Sequence, residues 1–354
     1  MNGEVMAPAP QEVRGQRFTE VGPQQAVSGV VYIDCHFDGV HWRGNRLSDI
    51  RFVNCRFEDN RFEGGNWLRI QCEQCQFRRC VWNGCALEKV FWQGGAAVGI
   101  EWRQCGLKDF TCVELHAGEW RLLEPCSSHV SFINSRLEQW WLSGGVWLGS
   151  SWIKNQLSDI GIQRVELDNF IVGLSQVQRM ALLECHGINA RWLNCELDEM
   201  TVTSCRLRQA AWSGSAWRGG VLQDCQLAGA NFEQSRLSHL QIVDTRLEQA
   251  IFHAASLEDC QLSRLHAPQI WLRRARLQRV DLSQANLNGL DACDAELRQV
   301  RLSGGDCGNG RLIGQPRGVW QEANTDGAIF SDQKFEQNQA WHARVQPGPR
   351  GEQR

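Results

Sequence analysis

Sixteen of the 354 residues are cysteine, and these are the first candidates for chemistry. Cys72 and Cys75 form a C-x-x-C, the spacing that serves both zinc sites and dithiol redox centres. Nine histidines come next, with His36 and His41 five apart and His116 in step with His36. Arg273, Arg274, Arg276 and Arg279 lie beside Trp271, a basic-aromatic cluster of the kind that binds single-stranded nucleic acid. No G-x-x-x-x-G-K-[ST], G-x-G-x-x-G, H-E-x-x-H or G-x-S-x-G motif accompanies them. What these residues do therefore depends on the elements that carry them.

Those elements repeat every five residues. From Tyr32, Phe37, Trp42 and Leu47 to Leu302, Cys307 and Leu312 there are 57 positions in one phase. All are apolar, counting Cys and Ala, except Ser127 and Gly187. Five fits neither the 3.6-residue period of a helix nor the two-residue period of a strand. It requires a unit that turns a corner every five residues. A second column, two residues before each apolar centre, holds small side chains such as Cys35, Cys55, Cys195, Ser235 and Ala285. Fourteen of the sixteen cysteines fall in these two inward columns, all but Cys126 and Cys293. The repeat generates Cys72-x-x-Cys75 by itself, so the thiols read as core residues. No metal, cofactor or catalytic set is expected. Histidines five apart sit on successive sides and diverge. The arginines divide between two faces and read as solvated.

Units such as Ala285-Asn286-Leu287, Ala295-Glu296-Leu297 and Cys225-Gln226-Leu227 resemble the pentapeptide-repeat family. The resemblance spans about residues 30–314. It departs from the family pattern in holding Trp at ten central positions, and often Arg, Gln or His before the centre. It implies an all-β fold, a right-handed, four-sided parallel β-helix of about fourteen coils, and a short C-terminal helix. The domain reading is an arm or cap over 1–29, the β-helix over 30–314, and a tail over 315–354 with a helix over 331–345. Phe330, Phe335 and Trp341 are the expected cap or dimer contacts, so the chain is read as a monomer or a C-terminal homodimer. Pro125 and Ser127 predict a distorted corner at 124–129, and Gly187 a second weak point. Glycines at the last position of a unit, such as Gly64, Gly94 and Gly219, predict corners of positive φ.

Outward residues suggest a function. If each coil takes twenty residues, Ile33, Val53, Val113, Ile133, Ile153 and Leu193 fall in one outward column and form a candidate protein-binding strip. Trp141 points outward on a different face. Net charge is −3, from 37 bases and 40 acids, which favours neither nucleic acid nor a membrane surface. Only four of the bases are lysine. The N-terminus has no apolar core of a signal peptide, no stretch is long enough to span a membrane, and so many thiols suit a reducing compartment. The expected location is cytoplasmic.

The expected function is a non-enzymatic protein–protein scaffold, its partner unidentified. Trp- and Cys-rich relatives look like those found beside type VI secretion genes, implying an adaptor for an effector or spike component. The alternative implied by the family is a DNA mimic that binds DNA gyrase or topoisomerase. Such a mimic of ~70 Å would show on the order of 40 negative charges, whereas here the acids and bases nearly cancel.

Overall fold

The computed structural model describes residues 11–21 and 26–330. The chain winds as a parallel β-solenoid of about fourteen turns, with every described strand pair parallel. Residue i lies beside i + 20 over most of its length, as in Leu47↔Trp67, Trp92↔Cys112 and Leu257↔Leu277. Each coil therefore has four sides of three residues. Side one carries 31–33 and every twentieth residue onward, side two 36–38, side three 41–43 and side four 46–48. The middle residue of each side points inward. Corners are held by backbone hydrogen bonds between coils, such as Arg56 N–H to Cys35 O at 2.9 Å and Asp34 N–H to Val53 O at 3.0 Å.

The predicted positive φ is present at every kind of corner. Gly64, Gly94 and Gly219 have φ of 61°, 62° and 66°. The same turn also holds Asp49, Arg69, Asn134 and Leu174, with φ of 50–57°. A non-glycine residue pays ~1–2 kcal/mol for that conformation, which the ladder on both sides of each corner over-determines. Two corner types divide the axis. In many early coils the N–H that follows the corner donates to a side chain of the next coil, as Leu115 N–H does to Ser135 Oγ at 3.1 Å. From Ser215 onward many corners close locally, as Ala230 N–H to Leu227 O at 3.0 Å and Ala250 N–H to Leu247 O at 3.1 Å.

The core is a stack of rings. Phe37, Phe57 and Phe77 stack at 4.7 and 4.4 Å on side two, and Trp192, Trp212, Phe232 and Phe252 stack at 5.3, 5.0 and 4.5 Å on side one. The second inward column is not uniformly small, contrary to expectation. It holds Phe110, Trp120, Trp140, Ile160, Met180 and Met200, all buried. The two largest face small central residues. Trp120 and Trp140 sit above Ala97 and Ala117 and donate to their carbonyls at 2.8 and 2.9 Å. Volume is conserved per layer rather than per column.

Three further expectations change. The described part of the 1–29 arm belongs to the solenoid: Gln11–Arg14 pairs with Val30–Ile33, and Ala26–Ser28 pairs with Arg46–Ser48. Phe18 stacks on Phe37 at 4.7 Å and covers that end. Corner 124–129 is not distorted, because Cys126–Ser128 keeps its register with Gly106–Lys108 and with Val146–Leu148. Pro125 occupies the position whose N–H lies outside the inter-coil ladder, so its missing donor costs nothing there. Gly187 likewise stays in register, opposite Leu207.

The coils do not end at 314. Asp306 bridges Asn324 and Arg311 bridges Ile329, in steps of eighteen, with a 3₁₀ turn over Arg317–Trp320 taking up the slack. Buried Trp320 covers the last layer, and the Arg317 guanidinium lies 4.7 Å over the Phe330 ring. Phe330 is partly buried against the core at this end. Phe335, Trp341 and the helix over 331–345 lie outside the described residues.

Candidate protein-binding face

The thiols take no part in a surface site. Fifteen are buried and only Cys126 is exposed. They complete the backbone instead. Cys55 Sγ–H reaches Tyr32 O and Val53 O at 3.4 Å, and Cys195 Sγ–H reaches Val172 O at 3.4 Å. Ser175 Oγ and Asn155 Nδ2 do the same at 2.8–3.4 Å, while Ser175 Oγ also accepts Asn155 N–H at 3.0 Å. Cys, Ser and Asn are therefore equivalent here because each is short and can bond the backbone. Burial pushes the Cys80 and Cys307 thiols up to about 12 and Cys195 to about 11, away from reactive thiolate. Cys112 sits in the large column, and burial alone pushes its thiol well up.

Native protein at pH 8 should titrate a single thiol, Cys126, with an aromatic disulfide reagent. Cys195→Ser should cost less than ~1 kcal/mol in urea unfolding, since serine serves this column elsewhere. Cys112→Ser should cost ~1–3 kcal/mol, because a hydroxyl buried there lacks a partner. Rapid labelling of several thiols would contradict the sealed core.

Among the described residues, no group of three or more His, Cys, Asp or Glu could hold a metal ion. No helix among them is long and apolar enough to cross a membrane. An open groove of about 890 Å³ runs along side two between Arg136 and Glu258, with polar walls such as Gln156, Gln178 and Asp198. The arginine cluster is largely paired: Arg273 with Asp291 at 3.9 Å, Arg276 with Glu296 at 3.4 Å, Arg279 with Asp259 at 2.6 Å.

Side one is different. Among the described residues six large hydrophobic side chains are exposed, and four of them, Phe91, Ile133, Trp271 and Ile329, lie on side one. A fifth, Leu174, is 57% exposed on the corner beside it. Only Trp141 is elsewhere, on the opposite side three, with its ring over Gly161. The strand ladder puts the strip residues in line: Ile33↔Val53, then Val113↔Ile133↔Ile153. Leu193 follows beyond Gly173, onto which Ile153 Cδ1 leans. Glu73, paired with Arg51 at 2.7 Å, and Gln93 separate the first two residues from the rest. Beside the strip run Thr111, Ser131, Ser151 and Ile171, so the middle of side one is nearly uncharged. Sequence spacing located the column. The neighbouring Phe91, Ile171 and Leu174 were missed, although the same twenty-residue count reaches them.

Comparison with known proteins is consistent with this architecture. Residues 272–306 match the family model of pentapeptide repeats (8 copies). That match and the unbroken register around it support the pentapeptide-repeat family for this chain. A comparison with curated proteins found no match. Among solved structures, HetL, a pentapeptide-repeat protein involved in heterocyst differentiation regulation in the cyanobacterium Nostoc, is 17% identical. It aligns over 69% of this chain and 90% of its own, with a TM-score of 0.27. QnrB1, a plasmid-mediated fluoroquinolone resistance protein, is 14% identical over 58% of this chain and 99% of its own, with a TM-score of 0.27. The A-module of the Azotobacter vinelandii mannuronan C-5 epimerase AlgE6 is 9% identical over 91% and 89%, with a TM-score of 0.33. The fold itself rests on the parallel ladder of this chain.

Proposed function

We propose that this protein is a non-enzymatic scaffold that binds other protein surfaces through side one. The observation that carries the reading is the gathering of exposed apolar side chains on one of four otherwise polar sides. Isolated exposed hydrophobics are ordinary, whereas a contiguous apolar face marks an interaction surface. In its finer form the proposal is a cytoplasmic adaptor for a type VI secretion effector or spike component, a form supported by the Trp- and Cys-rich character of the chain.

Mimicry of a DNA duplex finds less support. A mimic needs unneutralised rows of acids. Here the corner acids pair with arginine one coil away: Asp49 with Arg69, Asp159 with Arg179 and Asp259 with Arg279 at 2.6 Å, and Asp59 with Arg79 at 2.7 Å. Each guanidinium holds its carboxyl below the usual aspartate range.

The test is retention of proteins by the tagged chain from host lysate, identified by mass spectrometry, beside the Ile133→Asp/Ile153→Asp variant. Loss of the retained proteins in a variant with unchanged circular dichroism is the expected result. An unchanged set would remove side one from the proposal, and an empty set would remove the scaffold reading. Retained gyrase, unaffected by the variant, would favour mimicry.

A further inference from the structure

Resting on that reading of side one, we infer that its occupant is a second copy of this chain, packed antiparallel about a dyad at Ile133. A dyad lying in the face and perpendicular to the solenoid axis places each outward column against itself, running the other way. Residue i on one copy then faces a residue on the other at a mirrored coil. With the dyad at Ile133, the pairing follows from the register alone.

Charge supports this arrangement. Glu114 and Lys154 lie one coil on either side of Ile133, on the corner beside the strip. Neither makes an ion pair among the described residues. The dyad sets Glu114 against the second copy's Lys154, twice. The other charged residues of side one and its corners meet neutral ones: Arg51 meets Ala211, Lys89 meets Asn169, Arg191 meets Gln71, Asp109 meets Gly149 and, toward the ends of the overlap, Arg69 meets Asn189, Asp49 meets Gln209, Asp34 meets Gln234 and Glu233 meets Ile33. Glu73 meets Leu193 with its charge already matched by Arg51. His129 meets its own copy, with its Nδ1 3.4 Å from Asp109 Oδ1.

Shape agrees. Val113 faces Ile153, Ile133 faces itself and Phe91 faces Ile171. Leu174, the most exposed of these, faces Gly94, which has no side chain of its own and lies against the Gln74 amide of the preceding coil. An isologous contact requires this reciprocity. The overlap covers eleven coils, from that of Ile33 to that of Glu233. At ~4.8 Å per coil and a side of about four residues at ~3.3 Å, each copy buries ~700 Å². The total of ~1,400 Å² lies within the ~1,200–2,000 Å² of stable complexes.

The test uses the purified full chain. Sedimentation velocity at about 20 μM should give a dimer, and Ile133→Asp a monomer with unchanged circular dichroism. Lys154→Glu should weaken the dimer at least tenfold, and Glu114→Lys/Lys154→Glu should restore it, since the exchanged charges face each other again. In a Cys126→Ser background, which removes the one exposed native thiol, Ile133→Cys should give a disulfide-linked dimer under mild oxidation with diamide, whereas Ile153→Cys should not, because its partner across the dyad is Val113. A monomeric wild-type chain would overturn the inference. So would a dimer indifferent to these variants, or an Ile153→Cys variant that links as readily as the Ile133→Cys variant. A monomeric chain that still retains a foreign protein, lost on Ile133→Asp/Ile153→Asp, would leave the scaffold reading standing with a different occupant.

Discussion

Gly220→Ala should lower stability by on the order of 3 kcal/mol or more, or prevent folding, while its neighbour Gly219→Ala should cost only ~1 kcal/mol. Both residues have positive φ, 102° and 66°. What differs is the space around them. A Cβ on Gly219 would meet nothing within 4 Å. A Cβ on Gly220 would run into the carbonyl oxygen of Met200, a backbone atom held by the ladder of the preceding coil. It has no flexible end to swing aside, so the coils themselves must separate. Because each coil contacts only its neighbours, that separation breaks the stack at its middle. Gly95 and Gly145 share this geometry, against the carbonyls of Cys75 and Pro125. Urea unfolding of the Gly219 and Gly220 variants with a common m-value measures the difference. Equal midpoints would show that the corner relaxes without cost.

Trp120→Ala should cost ~3–5 kcal/mol, the range for a large aromatic removed from a packed core. The more informative change is to phenylalanine. Trp120 is fully buried and its indole N–H donates to Ala97 O at 2.8 Å. Trp120→Phe loses that bond and leaves a cavity, so a cost of ~2–4 kcal/mol is expected. Trp192 is equally buried, yet its indole N–H has no partner, as is true of Trp82, Trp102 and Trp212. Burying an unpaired donor is itself unfavourable. Trp192→Phe opens a similar void but removes that penalty, and the net change should stay within ~1 kcal/mol. The rank order by urea midpoint should therefore be Trp192→Phe above Trp120→Phe above Trp120→Ala. A reversed order of the two phenylalanine variants would mean that the Trp120 bond contributes nothing.

The five-residue phase was fully legible because all but two of the central residues from Tyr32 to Leu312 are apolar, as an inward column requires. Even Ser127 and Gly187, which break the rule in composition, keep the register, since neighbouring coils on both sides impose it. Pro125 misled because proline usually disrupts a ladder. Here it falls on the one position whose N–H lies outside it. The second column misled because smallness at Cys35 or Ala285 is a local fact. Trp120 is tolerated only because Ala97 lies one coil before it, twenty-three residues away. At the ends, Gln11–Thr19 and Asn324–Ile329 join the stack with steps of nineteen and eighteen, and a search for strict multiples of five passes over them.

For the surface, the apolar column of Ile133 and Ile153 follows from counting by twenty, once four sides per coil are assumed. That Phe91, Leu174 and Trp271 share or border its side also follows from that count. What counting cannot give is exposure: Leu174 stands out in solvent, while Gly173 beside it is covered by Ile153. Periodicity and residue type settled the architecture of this chain, the inward direction of its cysteines and the near-cancellation of its charge, because each depends only on spacing and composition. The layer-by-layer matching of large and small side chains, the two corner types, the closure of the ends and the exposure of apolar side chains along side one were settled only by three-dimensional packing. Each of these depends on which residues meet across coils, and contact between coils exists only once the chain is wound.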